Sequence, residues 1–102
     1  MKRITAREVK KLMQEDADIT VIDVREPEEV IEGIIPGAVH IPLGEFQSRM
    51  NELEKDKKYV IVCHSGSRSG VVTHYLNSLG YDASNLIGGM LVWSGDMITK
   101  NK

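Results

Sequence analysis

Apolar positions along this chain switch repeatedly between a helical and a strand period, and the switches mark out the elements. Val9, Leu12 and Met13 recur at helical spacing, and Thr5 with Glu8 three residues later forms the capping-box pattern that starts a helix. Ile19 to Val24 (ITVIDV) is short, β-branched and apolar on both faces, so it reads as a buried strand. Pro27 suits the first turn of a short helix, Glu28 and Glu29 suit its positive end, and Gly33 is its stop. Residues 34–38 read as a turn into a strand from Val39 to Ile41. A helix is expected through Phe46, Met50 and Leu53, followed by a second apolar β run from Tyr59 to Val62. A loop from Cys63 to Ser67 leads into a helix from about Arg68 to Leu79, with Gly80 as its C′ residue. Ala83 to Ile87 reads as a last strand, Gly88-Gly89 opens a final helix that includes Trp93, and Thr99 to Lys102 is expected to fray.

Strands alternating with helices predict an α/β domain with a mostly parallel central sheet. In such sheets ligand sites form beyond the carboxyl ends of strands. Cys63 lies at one such end, and Asp23 and Arg25 lie at or just past another. The length of 102 residues suits one domain, without repeats or a linker. A net charge of −2 implies no broad basic surface, which argues against nucleic acid or an anionic membrane as partner. One cysteine excludes an internal disulfide and fits a reducing compartment. No secretory signal is read at the N-terminus, and no apolar run approaches the ~20 residues of a membrane helix. The cytoplasm is the expected location.

The segment with most chemistry runs from Tyr59 to Gly70 (YVIVCHSGSRSG). A buried strand delivers a thiol into a tight loop of small residues, and a helix follows. Such a loop can turn backbone N–H groups inward as an anion nest, and the helix adds unsatisfied N–H groups and its positive end. Ser65, Ser67 and Ser69 carry hydroxyls for further donation, Gly66 permits the curl, and Arg68 brings a fixed charge. These surroundings favour thiolate over thiol; a free cysteine has a pKa of about 8.5, lowered to roughly 3.5–7.5 in such settings. The same cradle suits a persulfide anion or an anionic donor. The plain alternative, a lone cysteine acting as a small buried hydrophobe, leaves the Ser/Gly loop and Arg68 unexplained.

Other residues are read more conservatively. Asp23 and Arg25 are assigned a supporting role beside the loop: Arg25 is available to bind an anion or brace the loop, or the two residues tie loops together. His40 and His74 have no His or Cys neighbours at metal-ligand spacing and are read as non-catalytic, and no metal is expected. Trp93 is expected to pack the last helix onto the sheet, and Met13, Met50 and Met90 read as core fillers. Glu26, Glu28 and Glu29 read as a solvated helix start, ranked ahead of a protein-docking role.

Cys63 to Ser69 fits the pattern Cys-x-x-Gly-x-Arg-Ser, and with three other segments it resembles the rhodanese (thiosulfate sulfurtransferase) family in its compact single-domain form. Asp23-Val24-Arg25-Glu26 is similar to the family's Asp-x-Arg stretch, and residues 33–42 (GIIPGAVHIP) to its Gly-His-Ile-Pro-Gly-Ala segment. Leu86-Ile87-Gly88-Gly89 with Trp93 is similar to its closing Gly-Gly-x-x-x-Trp. The four segments follow in order from Asp23 to Trp93, and with the spacing around them the resemblance covers roughly residues 5–95. The resemblance implies a three-layer rhodanese-like domain and a sulfurtransferase. Cys63 then takes a sulfane sulfur from thiosulfate or a persulfide donor and passes it, ping-pong, to cyanide or a thiol. Amides of His64, Ser65, Gly66, Ser67, Arg68 and Ser69 hold the negative charge, and Arg68 anchors the loop or steers the anion. No cofactor is implied, and the acceptor thiol comes from another molecule. Two departures stand out: Ile34 replaces the usual His, and His64 replaces the Arg of many members, which removes a permanent charge beside the thiol. Relatives that act on phosphate or arsenate carry an Arg six residues after the cysteine; here Arg68 follows by five, so the loop is the shorter, sulfurtransferase kind. A phosphatase or arsenate reductase on the same fold, and a non-enzymatic binding or regulatory module, are the competing readings.

Overall fold

The computed structural model describes residues 1–99. Its elements in chain order are β1 (Arg3–Ile4), α1 (Ala6–Gln14), β2 (Ile19–Asp23), α2 (Pro27–Val30), β3 (Val39–His40), α3 (Leu43–Arg49), β4 (Lys58–Val62), α4 (Ser67–Ser78) and β5 (Asp82–Leu86), with 3-10 turns at Met50–Glu52 and Gly89–Val92. The five strands form one sheet in the order β1-β5-β4-β2-β3, and every pairing is parallel.

The β-branched runs explain the layers. Alternate side chains of β4 go to opposite faces. Tyr59 and Ile61, with Cys63 just beyond, join Ile22, Phe46, Val72 and Leu76 under α3 and α4. Val60 and Val62 join Val9, Val21, Ile35 and Leu86 under α1. Both faces of the sheet are therefore covered. Met50 packs on the first cluster, and Met13, Met90 and Trp93 on the second. The capping box of α1 forms: Glu8 N–H donates to Thr5 Oγ1 at 3.1 Å and Thr5 N–H to Glu8 Oε1 at 2.9 Å, a feature worth about 1 kcal/mol. α4 ends on Gly80, where Gly80 N–H reaches Asn77 O and Tyr81 N–H reaches Leu76 O, the paired closure of a Schellman motif.

Three elements differ from the sequence reading. The helix through Phe46 ends at Arg49 and tightens into the 3-10 turn, leaving Leu53 extended so that Met50 and Leu53 both reach the core. The final helix is a short 3-10 turn that stops before Trp93; its free first-turn N–H groups cap the cysteine loop, with Met90 N–H donating to Cys63 O and Leu91 N–H to His64 O. Strand β1 was not expected; Arg3 and Ile4 pair with the edge of β5. At the other terminus Ile98 exchanges backbone hydrogen bonds with Ile34, both 2.9 Å; Lys100 to Lys102 of the expected fraying tail lie outside the described residues.

Register decides where the site forms. Asp23 is level with Val62 across β2 and β4, and Val24 N–H continues the ladder to Val62 O at 2.9 Å. The segments that leave these strands, Arg25 on one side and Cys63 on the other, therefore emerge side by side.

Candidate active site

Cys63 follows the last residue of the central strand and is fully buried. Gly66 caps α4 with a φ of 104°, a left-handed conformation that glycine adopts without strain. That turn curls the loop back, so Gly66 N–H donates to Cys63 Sγ at 3.0 Å. Ser69, in the first turn of α4 and fully buried, places its Oγ 3.3 Å from the sulfur. Behind the loop, Gly89 lets the 3-10 turn approach: a Cβ there would stand 2.4 Å from Cys63 O and 2.7 Å from His64 O.

The electrostatics of the thiol are a balance of two effects. Burial pushes its pKa up, because the charged form loses water. The Ser69 hydroxyl and the backbone N–H groups of Ser69, Gly66 and Ser65 pull it down, and together they outweigh burial, so the pKa lies below the ordinary thiol value. The thiolate is thus held chiefly by neutral donors, with the Arg68 charge acting on it through space.

Both nearby arginines are occupied by carboxylates. Arg68 forks onto Glu29 of α2, with Nη1–Oε1 and Nη2–Oε2 both at 2.9 Å. This bidentate bond pulls the Glu29 pKa down to about 2 and raises that of Arg68, which the Cys63 charge raises further. Arg25 is buried against Asp23, with Nη2–Oδ2 at 2.8 Å, and also donates to Gly33 O at 2.7 Å. His40 Nε2 donates to Arg25 O at 2.7 Å and so braces the same turn.

The expected site residues are thus brought to one edge of the sheet, but they divide in role. Cys63, Gly66 and Ser69 touch through the sulfur. Ser65 contributes its amide, while the hydroxyls of Ser65 and Ser67 sit on exposed residues and make no hydrogen bond to the sulfur. His64 is exposed beside them and His74 is exposed on α4.

Two residues were missed. Glu29 was read with Glu26 and Glu28 as solvated, yet it partners Arg68 across 39 positions of sequence. Its own backbone-capping bond, from Glu26 N–H to Glu29 Oε1 at 2.8 Å, fixes it there. Asn85 of β5 lies 2.5 Å by its Oδ1 from Ser69 Oγ and donates by Nδ2 to Gly66 O at 3.2 Å. It spans the loop from behind. Its signal was a polar side chain two positions from Ala83, on the buried face of the strand. Ser69 has one proton for two acceptors; a thiolate competes with the Asn85 carbonyl for it far better than a thiol does.

The chain matches the rhodanese-like domain family over residues 5–96. It is 45% identical over 101 residues to YtwF of Bacillus subtilis, provisionally named a sulfurtransferase, covering 99% of this chain and 98% of that one. It is 35% identical over 92 residues to a protein of Allochromatium vinosum named sulfurtransferase, covering 89% of this chain and 86% of the other. Among solved structures, a rhodanese-like domain protein from Staphylococcus aureus superposes with a TM-score of 0.92 at 38% identity, over 99% of this chain and 100% of that one.

Proposed function

This chain belongs to the rhodanese-like family, and on that premise we propose that it is a sulfurtransferase that carries a sulfane sulfur as a persulfide on Cys63. The observation that supports this most is the cradle itself: a thiol at a strand end, its pKa lowered by a hydroxyl and three backbone N–H groups, with no fixed cation on the sulfur.

Each half-reaction is a displacement at sulfur. The Cys63 thiolate attacks the outer sulfur of thiosulfate or of a persulfide; the donor's S–S bond breaks and sulfite or a thiolate leaves with its electron pair. The charge of the new Cys63 persulfide sits on its outer sulfur, which the N–H groups of the curled loop are suited to hold. An acceptor thiolate, or cyanide, then attacks the outer sulfur and Cys63 thiolate is regenerated. Because Cys63 is fully buried, the first step requires the exposed loop residues around it to give way. The persulfide, longer by one S–S bond of about 2.05 Å, carries the transferable sulfur outward. Asp23 and Arg25 act as the brace that keeps the neighbouring strand end in place. No metal-sized cluster of His, Cys, Asp or Glu occurs among the described residues, and no helix among them is long and apolar enough to cross a membrane.

Incubation with thiosulfate, or with glutathione persulfide, followed by intact mass measurement tests the reading. The expected result is a gain of one sulfur, about 32 Da, that cyanide releases as thiocyanate and that Cys63→Ser lacks. A folded protein that no donor loads overturns it. Absence of aryl phosphate hydrolysis is expected alongside, because the loop places Ser69, not an arginine, six residues after Cys63.

A further inference from the structure

A cleft of about 430 Å³ lies against the active loop, with His64 in its lining. Its lining is mixed: Glu28, Glu29 and Glu32, from α2 and the turn after it, stand with Arg25 and with the apolar side chains of Leu91, Trp93 and Met97, the last packed against Gly33. Leu91 is 64% exposed and Met97 51%, so these apolar side chains are open to a partner.

The charge in this cleft is not balanced. The positive charge of Arg25 is spent on Asp23, and that of Arg68 on Glu29. Glu28 and Glu32 are exposed and make no ion pair among the described residues. The cleft therefore presents two uncompensated carboxylates, which repel a small dianion such as thiosulfate. Its size is that of sites that enclose far larger ligands, roughly 300–1,000 Å³. Carboxylates set among exposed apolar side chains are complementary to side chains of the opposite charge interleaved with apolar ones.

We propose that this cleft docks the sulfur acceptor, a polypeptide segment that presents its cysteine between basic and apolar side chains. The proposal rests on sulfur transfer at Cys63. The chain has no second cysteine, so the acceptor thiol must arrive from outside. Docked, the partner's thiolate attacks the outer sulfur of the Cys63 persulfide; the bond between the two sulfurs of the persulfide breaks, a new persulfide forms on the partner, and Cys63 keeps the electron pair as thiolate. There is no net oxidation and no further reactant.

Trp93 is the chain's one tryptophan and lines the cleft, so its emission reports occupancy without any sulfur transfer. The test titrates full-length protein with two peptides of equal length, each holding one cysteine among leucines, flanked by lysines in one and by glutamates in the other. Transfer from loaded Cys63 is then measured with the same peptides. The lysine peptide is expected to bind, and to accept sulfur by kcat/KM, about tenfold or more better at low salt. The advantage should fall to about twofold or less in 1 M NaCl, where screening reaches ~3 Å, and in the double variant Glu28→Gln/Glu32→Gln. The same variant is expected to react faster with thiosulfate. Equal use of both peptides, or a lysine preference that survives the double substitution, overturns the proposal. So does cysteamine, a small cationic thiol, if it accepts sulfur as efficiently as the lysine peptide. Failure of every donor to load Cys63 overturns the sulfur-transfer reading and the acceptor role with it, whereas loading without a charge preference overturns the docking cleft alone.

Discussion

The two strand ends that meet at the site each carry an arginine, and they use it differently. After β2, Asp23 and Arg25 form a buried brace: the carboxylate takes the guanidinium, the Arg25 amide donates to Asp23 Oδ1 at 3.0 Å, and the guanidinium also holds Gly33 O. Arg25 spends Nε and Nη2 on that brace, and its Nη1 makes no hydrogen bond among the described residues on the side where Arg25 lines the cleft. After β4 the loop keeps its arginine at a distance, on Glu29, and aims neutral groups at the sulfur instead. The difference teaches how this fold separates rigidity from reactivity. Ion pairs fix the frame, and fixed dipoles set the charge state of the thiol. Dipoles hold thiolate and persulfide alike, whereas a cation on the sulfur would bind a departing sulfite as well.

Breaking the brace should produce the largest effect. Arg25→Met leaves the Asp23 carboxylate buried and unpaired, which costs about 3–5 kcal/mol in a position only 1% exposed. Urea denaturation reads this directly. The comparison requires that the thiol of the folded fraction keep a near-native pKa. A large shift in that pKa, with modest loss of stability, would make Arg25 part of the cradle and erase the distinction.

Ser69→Ala strikes the other side. A hydrogen bond to a charged group contributes about 1.5–3 kcal/mol, so the Cys63 pKa should rise in the variant. The sign follows from which form is stabilised: the hydroxyl favours thiolate, and its loss favours thiol. The rate of iodoacetamide alkylation against pH measures it, with the midpoint moving upward and the rate at neutral pH falling. An unmoved midpoint would show that the backbone N–H groups suffice alone.

What the sequence made legible follows the same division. The cradle could be read because strand, thiol, small-residue loop and helix are contiguous between Tyr59 and Gly70, and local geometry does the rest. The parallel sheet could be read because ITVIDV and YVIV are apolar on both faces. The long-range contacts could not. Glu29 looks like its neighbours Glu26 and Glu28 until the fold sets α2 against the start of α4. Asn85 needs the pairing of β4 with β5 before its polarity means anything. Strand β1 has two residues and no pattern of its own; it exists because the edge of β5 offers Asn85 N–H to Lys2 O and Ile87 N–H to Ile4 O. The hydroxyls of Ser65 and Ser67 were overcounted because composition shows a hydroxyl but not the curl that turns it outward.

The smallest effect comes from Glu29→Gln, which takes the partner from Arg68 and leaves both the brace and the sulfur's donors alone. The pair lies partly in solvent, with side chains 29% and 32% exposed, so screening limits its contribution to about 1 kcal/mol. Its pH dependence is the sharper reading. The Glu29 pKa falls from 4.5 when unfolded to about 2 in the fold, chiefly through the Arg68 hydrogen bond. A depressed carboxylate stabilises the fold fully above its unfolded pKa and loses that contribution as pH falls through the folded one. The stability gap between wild type and Glu29→Gln should therefore be constant from neutrality to about pH 5 and close between pH 4.5 and 2. Arg68 keeps its charge in the variant, so the Cys63 pKa should move less than it does in Ser69→Ala. Were it to move more, the loop's arginine would be acting on the sulfur as a charge more strongly than the hydroxyl does, and the contrast between braced frame and dipolar cradle would need an ionic term on both sides.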